Sequence, residues 1–233
     1  MATEKRITRK QLLNEPDEFL TTSSKIVEFI NKNKALAIGA VCGFFLIIAS
    51  ILLIQSLLKK SEMTSFSLLS QATEKYRASL GEGDFQKAFL NVTADFENIL
   101  DKYPSKTGGK LALMTYAGIC MEAGKIDKAI GLYKQALEKF KDAPSVKNTA
   151  QNALAYAFEE KKDYQTATVW FELLAADEKY TMKDEALFNL GRLYETLGEM
   201  EKSAAAFKRV LEEFPNSSYV KLIKSKTAGS MGS

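Results

Sequence analysis

The sequence predicts an all-α chain: a single N-terminal transmembrane helix followed by an α-solenoid of about four helical hairpins. Three observations carry this prediction. The 24 residues from 35 to 58 hold no charged side chain. From about Glu62 to Val220 the apolar residues recur at helical spacing, and the segment resembles itself at intervals of 36–38 residues. Glycine and proline number only 13 and 4 in 233 residues, which disfavours a β chain of many tight turns.

Residues 1–34 form a charged tail with a basic start (KRITRK) and an acidic patch (NEPDEF). Pro16, Asp17 and Glu18 read as a helix start, because proline suits the first turn and acids suit the helix dipole. Phe19, Ile26, Val27 and Ile30 would then make one apolar stripe of a juxtamembrane amphipathic helix. A plain linker is the alternative.

Residues 35–58 read ALAIGAVCGFFLIIASILLIQSLL, with Gln55 the only strongly polar side chain. A helix of this length measures about 36 Å, enough to cross a hydrocarbon core of about 30 Å with some tilt. Lys32 and Lys34 stand at one end, and Lys59 and Lys60 at the other, where their stems can reach the headgroups. The apolar run exceeds that of a cleavable signal, so an uncleaved anchor in contact with the bilayer is expected. Gly39 and Gly43 form a weak GxxxG match. Cys42 is read as a small apolar side chain. The distal cluster Lys5, Arg6, Arg9 and Lys10 favours a cytoplasmic N-terminus and a translocated C-terminal part.

Residues 62–220 form the repeat domain, with hairpins at about 63–103, 110–143, 148–181 and 184–217. Phe96, Tyr133, Phe171 and Phe207 align at spacings of 37, 38 and 36. Small residues precede the last three by four positions: Ala129, Ala167 and Ser203. A second set, Ala117, Ala155 and Gly191, comes twelve residues earlier, so two antiparallel helices can approach closely in each unit. Ile99, Ala136, Leu174 and Val210 follow the aromatics by three. Tyr103-Pro104 and Phe214-Pro215 stop second helices, and Ala143-Pro144 is read the same way. The polar tail 225–233 is expected to be disordered.

This pattern of small, aromatic and closing proline residues resembles the tetratricopeptide repeat. The best copy is 184–217, with Leu187, Leu190, Gly191, Tyr194, Ser203, Phe207 and Pro215 at motif positions. The resemblance implies a superhelix whose concave face is lined by the first helices of the hairpins and binds proteins or peptides. Carried over residue by residue, the candidate groove is Met114, Gly118 and Met121, then Asn152, Tyr156 and Glu159, then Phe188, Arg192 and Glu195. Asn152 and Arg192 are the expected holders of peptide backbone or a carboxylate. Met114 and Gly118 stand where carboxylate-clamp repeats need Lys and Asn, so a chaperone C-terminal tail is not the expected ligand.

No enzyme is expected, and no catalytic residue, metal site or cofactor. The chain has no histidine, and its two cysteines lie far apart, which excludes the histidine triads and a thiolate metal cage. Glu159-Glu160 and Glu212-Glu213 are neighbours that diverge by about 100° on a helix and read as solvated surface. Residues 61–233 hold 23 Lys+Arg against 24 Asp+Glu, a net of −1, so nucleic acid is not an expected partner.

The order of parts, a short charged tail, one anchor and helical hairpins, resembles the YfgM-type ancillary subunits of the bacterial Sec translocon. So does the lead FINKNKALAIGAVCG. That resemblance implies a single-pass bacterial inner-membrane protein with a periplasmic repeat domain. It would be a non-enzymatic, chaperone-like scaffold meeting the translocon and periplasmic chaperones during protein secretion. The alternative is an envelope-assembly scaffold coupling inner-membrane machinery to outer-membrane or cell-wall construction.

Overall fold

The computed structural model describes residues 18–230, and the regular structure within that range is helical. The expectations placed on residues 1–17, the basic start and the acidic patch, lie outside the described residues, as does the end of the tail, 231–233. Two compact units divide the chain, residues 1–59 and 60–233.

In the first unit, α1 (Glu18–Lys32) leaves Ile26, Val27, Phe29 and Ile30 exposed along one stretch. Glu28 and Lys32 pair at 3.0 Å one turn apart. The next helix, α2 (Lys34–Ser79), carries the apolar run and is long and apolar enough to cross a membrane. None of its most apolar window is buried by the rest of the protein. The helix runs on past the apolar segment to Ser79, because nothing in LKKSEMTS opposes helix.

The second unit is a stack of antiparallel hairpins. Residues 60–79 of α2 pair with α3 (Phe85–Lys102), held by Lys75–Asp95 at 2.7 Å and by Asn91 donating to Ser79 at 3.2 Å. Then come α4 (Thr107–Glu122) with α5 (Ile126–Lys139), α6 (Pro144–Glu160) with α7 (Tyr164–Ala176), and α8 (Lys183–Thr196) with α9 (Met200–Glu213). A last helix, α10, spans Tyr219–Ser230. It overturns the expectation of a disordered tail for residues 225–230. Ile223 is fully buried, so packing holds a segment whose own helix propensity is modest.

Prolines act as physics demands, with one change of role. α3 ends one residue before Tyr103-Pro104, and α9 one residue before Phe214-Pro215. Pro144 does not stop α5; it occupies the first turn of α6, where its missing N–H costs nothing.

The three central hairpins share one turn. Gly124, Lys162 and Gly198 all adopt left-handed backbone, with φ of 68°, 65° and 78°. The amide after each, on Lys125, Asp163 and Glu199, donates back to Cys120, Phe158 and Tyr194 respectively, at 2.7–2.8 Å. This is the Schellman closure, and it normally takes glycine. Lys162 alone of the three carries a Cβ into the strained region. Lys162→Gly is therefore expected to stabilise the domain by about 1 kcal/mol in urea unfolding, whereas Gly198→Ala costs a similar amount.

The aligned residues form the core. Phe96, Tyr133, Phe171 and Phe207 are buried, as are Ile99, Ala136, Leu174 and Val210. Gly191 is small for a different reason than expected. An ideal Cβ there would sit 2.3 Å from the Phe207 ring, so the glycine admits the aromatic of its own hairpin. Between the first two hairpins, Tyr116 stacks on Phe96 with centroids 5.0 Å apart, and Lys128 donates to its hydroxyl at 2.7 Å.

Candidate functional site

The candidate groove residues lie on α4, α6 and α8, the first helices of successive hairpins. On α4, Met114 and Met121 are half-buried against the core. A Cβ at Gly118 would touch only the Tyr133 hydroxyl, at 3.9 Å, so a gap runs beside it. Cys120 lies on the same helix but faces inward. It is fully buried, and burial pushes its thiol up to about 11, so it packs as an apolar side chain.

On α6, Asn152, Tyr156 and Glu159 follow the spacing that places them on one face. Tyr156 is partly exposed and meets Phe171 edge-on at 5.3 Å. Its hydroxyl donates to Glu185 at 2.6 Å and accepts from Asn189 at 2.9 Å. Burial first, then the bond to Glu185, raises the Tyr156 hydroxyl well above the usual phenol range, so it is a donor at any physiological pH.

Arg192 on α8 makes two parallel bonds to Glu159, at 2.6 and 2.8 Å, and a third to Asn189 at 3.0 Å. These bonds hold the guanidinium in its charged form against the cost of burial. The sequence offered Arg192 as a free holder of a ligand carboxylate. The fork is already filled by Glu159, so Arg192 joins α6 to α8 instead.

Phe188 and Glu195, at the two ends of the α8 set, are engaged by α10. Phe188 stacks on Tyr219 with centroids 4.5 Å apart, and Glu195 pairs with Lys226 at 2.6 Å. The structure thus brings Tyr156, Glu159 and Arg192 into one network, places Asn152 one turn away, and turns Phe188 and Glu195 to the capping helix. Glu185 and Asn189, which complete the network, were missed. No repeat offset marked them: the interval of 36 between these hairpins puts Phe188, not Asn189, at the position of Asn152, and the bonds to Tyr156 depend on how the hairpins pack.

Comparison with known families settles the architecture. Two family models, both described as tetratricopeptide repeat, match residues 121–181 and 185–217. The chain carries tetratricopeptide repeats. A tetratricopeptide repeat protein from Parabacteroides merdae shares the fold at 20% identity with a TM-score of 0.53, over 68% of this chain and 58% of that one. Nearly identical TPR-like repeats of a kinesin-light-chain-type protein from Podosopora anserina match at 18% identity, with a TM-score of 0.50, over 68% and 76% of the two chains. No curated protein matches the sequence. Repeats of this kind make a protein-interaction scaffold, and the all-helical stack described above is of that kind.

Proposed function

We propose that this is a membrane-anchored, non-enzymatic interaction scaffold that presents its repeat groove to exported proteins beside the Sec translocon. The observation that carries the anchor is the exposed apolar run of α2. Phe44, Phe45 and Leu46 are each more than 60% exposed, in a window with no buried residue, which water would penalise at about 25 cal/mol per Å2. A bilayer through residues 35–58 removes that cost. The basic residues at the start of the chain favour a cytoplasmic N-terminus and a periplasmic repeat domain in a bacterial inner membrane.

The groove supports the partner class. Met114 and Met121 offer adaptable apolar contact, Asn152 and Tyr156 offer polar contact, and the Glu159–Arg192 pair holds the two helices at a set distance. Tethering such a groove at the membrane raises its local concentration near emerging chains.

Protease protection tests the orientation. With a tag after Ser233 and the outer membrane permeabilised, the repeat domain is expected to be digested from outside in otherwise intact cells. Protection until the inner membrane is broken would place the domain in the cytoplasm and end this reading. Crosslinking and co-purification separate the two partner sets: translocon subunits support the proposal, and outer-membrane or cell-wall assembly factors support the alternative.

A further inference from the structure

Three buried side-chain oxygens, those of Asn148, Asn152 and Tyr180, have no hydrogen-bond partner among the described residues; two lie on α6 and the third on the connector from α7 to α8. Asn148 Oδ1 and Asn152 Oδ1 lie one turn apart on α6, on the face that leads to Tyr156. Asn148 uses its amide to reach Asp177 at 3.1 Å, which ties this face to the connector. Three residues on, Tyr180 is 92% buried, at 8% exposure, and its hydroxyl is unpaired. Buried polar atoms without partners are rare in folded proteins, so each calls for an explanation.

Two carboxylates stand near Tyr180. Glu185 accepts from Tyr156, and Asp184 accepts from Ser217 at 2.6 Å. Among the described residues, neither is ion-paired with a lysine or arginine, unlike Glu159 and Glu195, which are. Both carboxylates act on Tyr180 and on Tyr219, and with burial they push the Tyr180 hydroxyl up to about 12. Tyr156, Tyr180, Phe188 and Tyr219 add aromatic walls, and Phe188 stacks on Tyr219.

Unpaired acceptors, uncompensated carboxylates and ring faces have one chemistry in common: they favour a cation that carries several N–H donors. We infer that the α6–α8 part of the groove holds a lysine or arginine side chain of the bound polypeptide, between Tyr156, Tyr180 and Glu185. An ammonium or guanidinium donates without accepting, so it satisfies the Tyr180 oxygen and neutralises Glu185 together. The rings add cation–π attraction. The inference rests on the groove reading and specifies its ligand.

The test uses the full chain in detergent micelles and four labelled nonapeptides, identical except for a central Lys, Arg, norleucine or Glu. Fluorescence anisotropy is expected to show the Lys and Arg peptides binding about tenfold tighter than norleucine, and the Glu peptide weakest. Glu185→Gln keeps an acceptor for Tyr156 and should erase the tenfold preference while leaving norleucine binding in place. Tyr180→Phe, which removes only the unpaired hydroxyl, should reduce the preference if Glu185→Gln perturbs folding. High salt should also narrow it. Equal affinity for Lys and norleucine, or a preference that survives both variants, overturns the inference and leaves the groove intact. If none of the four peptides binds, the groove reading falls with it.

Discussion

Phe171→Ala is expected to cost about 3–5 kcal/mol of stability, the range for removing a buried aromatic ring. Phe171 has no exposed surface and touches Tyr156 edge-on, so the ring lies between the two helices of its own hairpin, α6 and α7. In a stack of repeats each hairpin is held by its neighbours, so the damage spreads along the array. Trp170, the only tryptophan, adjoins the site and reports it directly. Fluorescence should therefore show this hairpin loosening at lower urea than circular dichroism shows for the whole domain. Phe85→Ala is the contrast, since Phe85 is 45% exposed and should change stability little. A loss below about 1 kcal/mol at Phe171 would mean that α6 and α7 do not form a packed core.

Gly109→Ala should also be strongly destabilising, and its sign is informative. By helix propensity alone, alanine would gain about 1 kcal/mol over glycine. Yet an ideal Cβ at Gly109 would lie 1.9 Å from the carbonyl oxygen of Tyr103. A flexible side chain can retreat from such a contact, whereas this neighbour is main chain at the end of α3. Its carbonyl also accepts from the Lys106 amide, so moving it breaks the turn into α4. Overpacking of this kind costs about 1–3 kcal/mol and sometimes more. Thermal unfolding should show a clear loss. Gly131→Ala is the opposite case: it lies inside α5 with nothing within 4 Å of a new Cβ, and should gain up to about 1 kcal/mol. If both variants were stabilised, the close approach of α3 and α4 would be refuted.

The candidate groove is braced by its own side chains. Tyr156, Glu159, Glu185, Asn189 and Arg192 cross-link α6 and α8 through charge-assisted bonds, and these side chains lie at the groove itself. Polar networks that are fully satisfied fix relative helix position better than apolar contact does. Asn152 and Tyr180 stand outside this frame, each with a buried oxygen that has no partner among the described residues.

Much of this was legible in the residues. Helical period is local, so an all-helical solenoid of tetratricopeptide-like hairpins could be read from the residues. The aromatic positions Phe96, Tyr133, Phe171 and Phe207 were legible because every unit repeats the same packing problem at the same offset. The apolar run in α2 was legible from charge alone.

Other features are not written at any one position. Pairing of Arg192 with Glu159, 33 residues away, depends on how far one hairpin rotates against the next, and similar spacings fit several rotations. Burial of Phe188 and Glu195 depends on α10, whose residues are polar enough to read as coil until Tyr219 and Ile223 find their contacts. The need for glycine at 109 and 191 comes from backbone and ring approaching from another helix. Sequence alone determined the helices and their repeat, since both follow from contacts within a turn or a hairpin. Only the tertiary structure decided which of the candidate groove side chains are spent on holding the stack, because that depends on distances between helices that no local pattern encodes.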